Sequence, residues 1–241
     1  MKSSPAEQNS LLELQEIDSS LARLAHQEKT HPVLKELAKA SEGFEAHNAL
    51  MIASATEKSD IEVELNRSAS DVEQVDARIA KDQQFIDSGQ ASAKDLQNLL
   101  GELESLKRRK EELEEVELEI MVRIDEAKKR EEHHRLEREK FAQEVNRLSA
   151  ERDSAFNEIQ GKRSELEEAR KVAQGKISSE LISLYEKIRE SSGGVAAARL
   201  HNGQCEGCHL QVNTVELTRI KSLPEDEVIR CEECRRILVR S

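Results

Sequence analysis

A walk of alternating three- and four-residue steps from Leu96 to Lys176 lands on an apolar side chain at sixteen of twenty-four positions. About nine would be apolar if the chain's 37% apolar content were spread evenly. A seam repeating every 3.5 residues is the pattern of a helix that supercoils left-handedly around a neighbour. It runs through Leu99, Leu103, Leu106, Leu113, Ile120, Ile124 and Ala127, and resumes at Phe141, Val145, Leu148, Ala155 and Ile159. Upstream, Leu65, Val72, Ile79 and Ile86 recur every seven residues. Leu34, Leu37, Phe44 and Met51 extend that line, with a phase slip placed near Lys58. The polar interruptions at Lys110, Glu117, Glu131, His134, Arg138 and Arg152 set register or face water.

Composition agrees with a narrow seam rather than a thick core. The 241 residues contain no Trp, one Tyr and four Phe, and 36% are charged. The first helical segment is expected from about Ser10 to Ile86, interrupted at Thr30-His31-Pro32, and the second from about Lys94 to Lys176. Residues 87–93, rich in Ser and Gly, form the turn between them. Ser92 with Asp95, and Ser10 with Glu13, have the spacing of capping boxes. Two long helices joined by a seven-residue turn fold back on each other. The fold class is therefore mainly α, a long antiparallel coiled-coil hairpin over residues 1–176. A short helix and linker follow over 177–194, and a small C-terminal β domain over 195–241.

The net charge of −12 gives no general attraction to nucleic acid or to an anionic membrane. The first ten residues lack the apolar run of a secretory signal, and no stretch approaches the length needed to span a bilayer. The chain reads as cytoplasmic, without membrane or small-molecule partners.

All four cysteines lie in the last domain, as Cys205-x2-Cys208 and Cys231-x2-Cys234. Each pair can turn both sulfurs toward one point, and two such knuckles supply the ligands of one tetrahedral, structural Zn2+. A reduced compartment favours metal over disulfides. Cys205–His209 also matches the haem-attachment pattern C-x-x-C-H, but the second cysteine pair and the lack of an export signal argue against it. Thiol-based sensing leaves no mark of its own in the sequence. About 47 residues with few large apolar side chains need the metal to fold. A shell closed by four thiolates leaves no open position for a substrate.

Arg230, Arg235, Arg236 and Arg240 flank the second knuckle and are the candidate contacts for nucleic acid or a protein partner. Across the domain, however, seven cations offset seven carboxylates, and no aromatic interleaves them for base stacking. Lys107-Arg108-Arg109-Lys110 reads as a solvated face, and the histidines outside the knuckles, including His47, His133 and His134, as exposed. No phosphate-cradling loop, catalytic triad or carboxylate pair is present, and no catalytic residue is assigned.

The stretch KDLQNLLGELESLKRRKEELEEVELEIMVRI, LISLYEKIRESSGGVAAARL before the last domain, and CEGC with EVIRCEECRRILVR inside it resemble the bacterial C4-type zinc-ribbon proteins with a long N-terminal coiled-coil hairpin, especially their actinobacterial branch. The resemblance covers nearly the whole chain and carries the metal ligands onto Cys205, Cys208, Cys231 and Cys234. It departs at Arg235, where the family usually has glycine, and Gly101 interrupts a strong helical repeat. The resemblance implies an adaptor or chaperone-like role, in some branches nucleic-acid binding. The expected function is a non-enzymatic zinc-binding adaptor whose coiled coil meets protein partners; the alternative is an RNA- or DNA-binding regulator acting through the ribbon.

Overall fold

The structure, a computed structural model, describes residues 1–240. Its elements are α1 (Pro5–Thr30), α2 (Pro32–Asp87), α3 (Ala93–Gln174), α4 (Ser179–Ser191), β1 (Ala197–His201), β2 (Gln204–Cys205), α5 (Thr214–Ser222), β3 (Ile229–Arg230) and β4 (Ile237–Arg240). Pro5 and Pro32 each open a helix, where a missing amide hydrogen costs nothing. No helix among the described residues is long and apolar enough to cross a membrane. The chain divides into two compact units, Glu36–Ser149 and Met1–Lys35 with Ala150–Ser241.

In the first of these, α2 and α3 run antiparallel, joined by the turn after Asp87, in which Gly89 takes a φ of 69°. Ile61, Ile120, Ile124 and Ala127 are buried together, with Leu65 against them. Cross-helix ion pairs fix the register: Arg130–Glu57 at 2.8 Å, Arg123–Glu64 at 3.0 Å, Lys110–Asp76 at 2.6 Å and Arg78–Glu102 at 2.8 Å. Exposed pairs of this kind stabilise little individually, but like charges in a slipped register would repel. The phase slip expected near Lys58 does not occur. Lys58 lies seven residues from both Met51 and Leu65, on the same line, and reaches across to Glu131 at 2.8 Å. A lysine can hold the line because its stem lies in the seam while its charge finds a partner.

The start of α1 also differs from expectation. Ser4, not Ser10, is the cap: its hydroxyl accepts from the Glu7 amide, and the Glu7 carboxylate accepts from the Ser4 amide. Ser10 donates to the Ala6 carbonyl one turn back. The Ser92–Asp95 cap is present, with the Asp95 amide on the Ser92 hydroxyl at 3.2 Å.

In the other unit, a four-stranded sheet of order β2-β1-β4-β3 forms the C-terminal ribbon. Strands β1 and β4 are parallel, and the outer pairs are antiparallel. Strands β1 and β2 are joined by the two-residue loop Asn202-Gly203, both at positive φ, as a type I′ hairpin requires. The ribbon does not stand alone as a core. One face of β1 and β4, through Ala197, Ile237 and Val239, packs with Leu11 and Leu14 of α1, Ala173 of α3, and Leu181, Tyr185 and Ile188 of α4. The other face, through Ala198 and Leu238, joins Cys205, Ile220, Ile229 and Cys231. The backbone before α1 is laced to the segment before β3, Ser3 N–H donating to the Asp226 carbonyl at 2.7 Å and Val228 N–H to the Met1 carbonyl at 3.0 Å.

Candidate metal centre

Two turns of matching geometry carry the cysteines. In each, the amide after the second cysteine closes onto the carbonyl of the first: His209 on Cys205 at 2.7 Å, and Arg235 on Cys231 at 2.9 Å. In each, the amide of the first cysteine donates to the carbonyl five residues later, Cys205 N–H to Leu210 O and Cys231 N–H to Arg236 O. The residue after the second cysteine must turn left-handed, and His209 and Arg235 both have φ of 61°. That explains why a glycine would suit the position of Arg235.

The four sulfurs converge. All lie within 4.8 Å of one another, with Cys205 Sγ to Cys234 Sγ at 3.8 Å and Cys208 Sγ to Cys231 Sγ at 3.9 Å. A tetrahedron of sulfurs at the bond length of Zn2+ has edges of about 3.8 Å, so the donor set fits a metal at its centre. Cys205 and Cys231 are buried, and Cys208 and Cys234 are half-buried. Burial pushes the Cys205 thiol up to about 12 and raises that of Cys231. Burial opposes ionisation of Cys234 too, but hydrogen bonds from the Arg236 amide and the thiols of Cys231 and Cys208 bring it down to about 7. His209 is exposed, outside the quartet.

The four arginines part company. The Arg236 guanidinium is taken up by three carbonyls, those of Val195, Gly207 and Ser192 at 2.8–3.0 Å, tying the first knuckle to the end of α4. A Cβ on Gly207 would lie 2.8 Å from Arg236 Cδ, so glycine lets this side chain pass. Arg240 donates to the carbonyls of Ile220, Leu223, Pro224 and Glu227, closing the C-terminal end of α5. Only Arg230 and Arg235 of the four are exposed, and Arg230 Nε donates to the Arg235 carbonyl at 2.8 Å. The sequence does not separate Arg236 and Arg240 from the other two because the carbonyls these two serve lie in other segments of the chain.

Replacing Arg235 by Gly is expected to stabilise the ribbon. A left-handed L-residue costs about 1–2 kcal/mol, and glycine's extra chain entropy returns about 0.5–1 kcal/mol of that. The Arg235→Gly protein should give up its metal to a chelator more slowly; faster loss would show that the arginine side chain holds the knuckle.

The sequence profile described as CT398-like coiled coil hairpin domain matches residues 14–193, and that of the C4-type zinc ribbon domain matches residues 204–238. The chain is 32% identical over 240 residues to the uncharacterized protein Rv2229c of Mycobacterium tuberculosis, covering 100% of this chain and 98% of that one. A solved structure from Mycobacterium smegmatis superposes with a TM-score of 0.90 at 30% identity over 100% of both chains. CT398 from Chlamydia trachomatis gives a TM-score of 0.72 at 19% identity, covering 98% of each chain, a likeness of fold.

Proposed function

This chain belongs to the CT398-like coiled-coil hairpin family and carries a C4-type zinc ribbon, and on that footing we propose that it is a non-enzymatic adaptor. One structural Zn2+ is held by Cys205, Cys208, Cys231 and Cys234, a shell with no position left for a substrate. The ion would fix the two knuckles and supply no chemistry beyond that. Paired cysteines that hold a metal rather than form disulfides suit a reducing compartment, so on this reading the protein works in the cytoplasm. The hairpin presents helical surface to a protein partner, and the ribbon is a second recognition module.

The observation that carries this reading is apolar surface on α3 facing away from the seam. Leu118, Met121 and Val122, three and four residues apart, are 63%, 48% and 59% exposed beside the buried Ile120 and Ile124. Apolar side chains grouped on one helical face are the usual material of a protein contact. Affinity purification from the native cell should recover a partner with the intact protein and lose it with Leu118→Glu/Val122→Glu, while Cys231→Ser/Cys234→Ser reports which partners need the ribbon. Recovery of the same proteins with both variants would refute the proposal.

A second reading, RNA or DNA binding, rests on the exposed Arg230 and Arg235 beside the second knuckle. It predicts salt-sensitive binding that Arg230→Glu/Arg235→Glu abolishes. Arg236 is unsuitable for this test because its removal would orphan three carbonyls. Absence of binding by the intact protein at low salt would eliminate the reading.

A further inference from the structure

Far along the sequence from the cysteines, within the unit Glu36–Ser149, two half-buried histidines meet across the helix pair. His47 of α2 and His134 of α3 bring their Nδ1 atoms to 3.2 Å. A neutral imidazole nitrogen without hydrogen carries an in-plane lone pair, and two such lone pairs repel at this distance. Something electrophilic must lie between them, either a proton on one ring or a cation shared by both. At Zn–N bond lengths of 2.0–2.1 Å, two imidazoles on a tetrahedral metal have nitrogens about 3.3 Å apart. The observed spacing is close to that edge.

The surroundings hold the rings in place. Phe141 stacks on His47, with centroids 5.6 Å apart and planes 21° from parallel. Phe141 reaches this position because residue 43 is glycine: a Cβ there would lie 2.5 Å from Phe141 Cε1. His133 lies with its ring centroid 5.2 Å from that of His134 and 6.5 Å from that of His47.

We propose that His47 and His134 form a second metal site, taking a divalent late transition ion such as Zn2+ or Ni2+ between their Nδ1 atoms, with water completing its shell. Imidazole donors suit these ions, whereas Mg2+ and Ca2+ prefer oxygen. The site clamps α2 to α3 at a seam position where an ordinary coiled coil has apolar contact, and it is independent of the ribbon.

The test is titration of Ni2+ into the full chain with its cysteine site filled by zinc, followed by calorimetry and by NMR of the histidine rings, with released zinc monitored. One Ni2+ per chain should bind without displacing zinc, and its paramagnetism should broaden resonances around residues 47 and 134. His47→Gln and His134→Gln should each weaken binding at least tenfold, and Mg2+ should not compete. Because broadening is read in the unaltered protein, the result does not depend on either variant folding. Undiminished Ni2+ binding by both variants would overturn the proposal. So would an intact protein that binds no Ni2+ and shows only an Nδ1–H shared between the two rings.

Discussion

Replacing Cys231 and Cys234 by Ser is expected to abolish metal binding and to release the outer half of the ribbon while leaving most helix intact. Serine hydroxyls are poor ligands for a soft site, and Cys205 with Cys208 cannot close a tetrahedron alone. Structural zinc in comparable thiolate sites is worth about 10–16 kcal/mol of binding energy, at least the whole stability of a typical domain. The core on this side of the sheet consists of Ala198, Cys205, Ile220, Ile229, Cys231 and Leu238, so two of its six buried members belong to the cysteine quartet. The opposite face of β1 and β4 is buried against α1, α3 and α4 through contacts that need no metal. Loss should therefore be local. Amides of the knuckles and α5, among them Glu206 N–H on the Arg199 carbonyl, should lose protection from hydrogen exchange, while far-UV circular dichroism changes little. Protection across residues 205–235 equal to that of the unaltered protein would contradict this account.

Removal of the Asp18 carboxylate should be the most damaging single change away from the metal. Its side chain is only 1% exposed, accepts from Arg170 Nε at 2.6 Å and the Tyr185 hydroxyl at 2.8 Å, and forms an ion pair with Arg189 Nη1 at 2.9 Å. Arg170 belongs to α3, and Tyr185 and Arg189 to α4, so one residue of α1 joins three helices. Gln15, one turn earlier, continues the network: its Oε1 accepts from the amide of Ala196 at 2.7 Å, just before β1, and its Nε2 donates to the Gly194 carbonyl at 3.0 Å. Breaking a buried ion pair from one side costs about 3–5 kcal/mol, and because Arg170 and Arg189 are partly exposed and both keep Glu186, the cost here falls at the low end of that range. Asp18→Ala should lose that much in urea unfolding, and Asp18→Asn less, since its carbonyl can still accept from Tyr185.

The pH dependence has a definite sign. Burial works to raise the Asp18 pKa, but the hydrogen bonds from Arg170 and Tyr185 and the charges of both arginines win and lower it from 3.8. A carboxyl depressed in the folded state contributes stability that is present above its ordinary value and fades as pH falls through the folded one. The unaltered protein should therefore lose stability below about pH 4 more steeply than Asp18→Ala. A loss under 1 kcal/mol for Asp18→Ala would show that the arginines find other partners.

The hairpin was legible because its information is periodic and local. Leu103, Leu113, Ile120, Ile124, Leu148 and Ile159, all on the seam read from sequence, are buried. Cysteine spacing likewise identified the quartet. What escaped was set by partners far along the chain. Gln15 and Asp18 look like solvated helix residues until α4 and β1 arrive from more than 160 residues away. Nor does either sequence neighbourhood show that His47 and His134 face each other across the helix pair. The dipeptide Asn202-Gly203 was a readable hairpin signal that would have placed β1 and β2. The ribbon's reliance on α1 was not readable, since nothing local in Leu11 or Leu14 says which surface they cover.

The most direct test of the account is native mass spectrometry of the purified full chain before and after treatment with a strong chelator, paired with hydrogen exchange on the same samples. One zinc per chain is expected at first, none afterwards, with protection lost around Cys205, Cys208, Cys231 and Cys234 and kept at Leu181 and Tyr185. A chain that carries no zinc, or whose knuckles stay protected once the ion is gone, would contradict it.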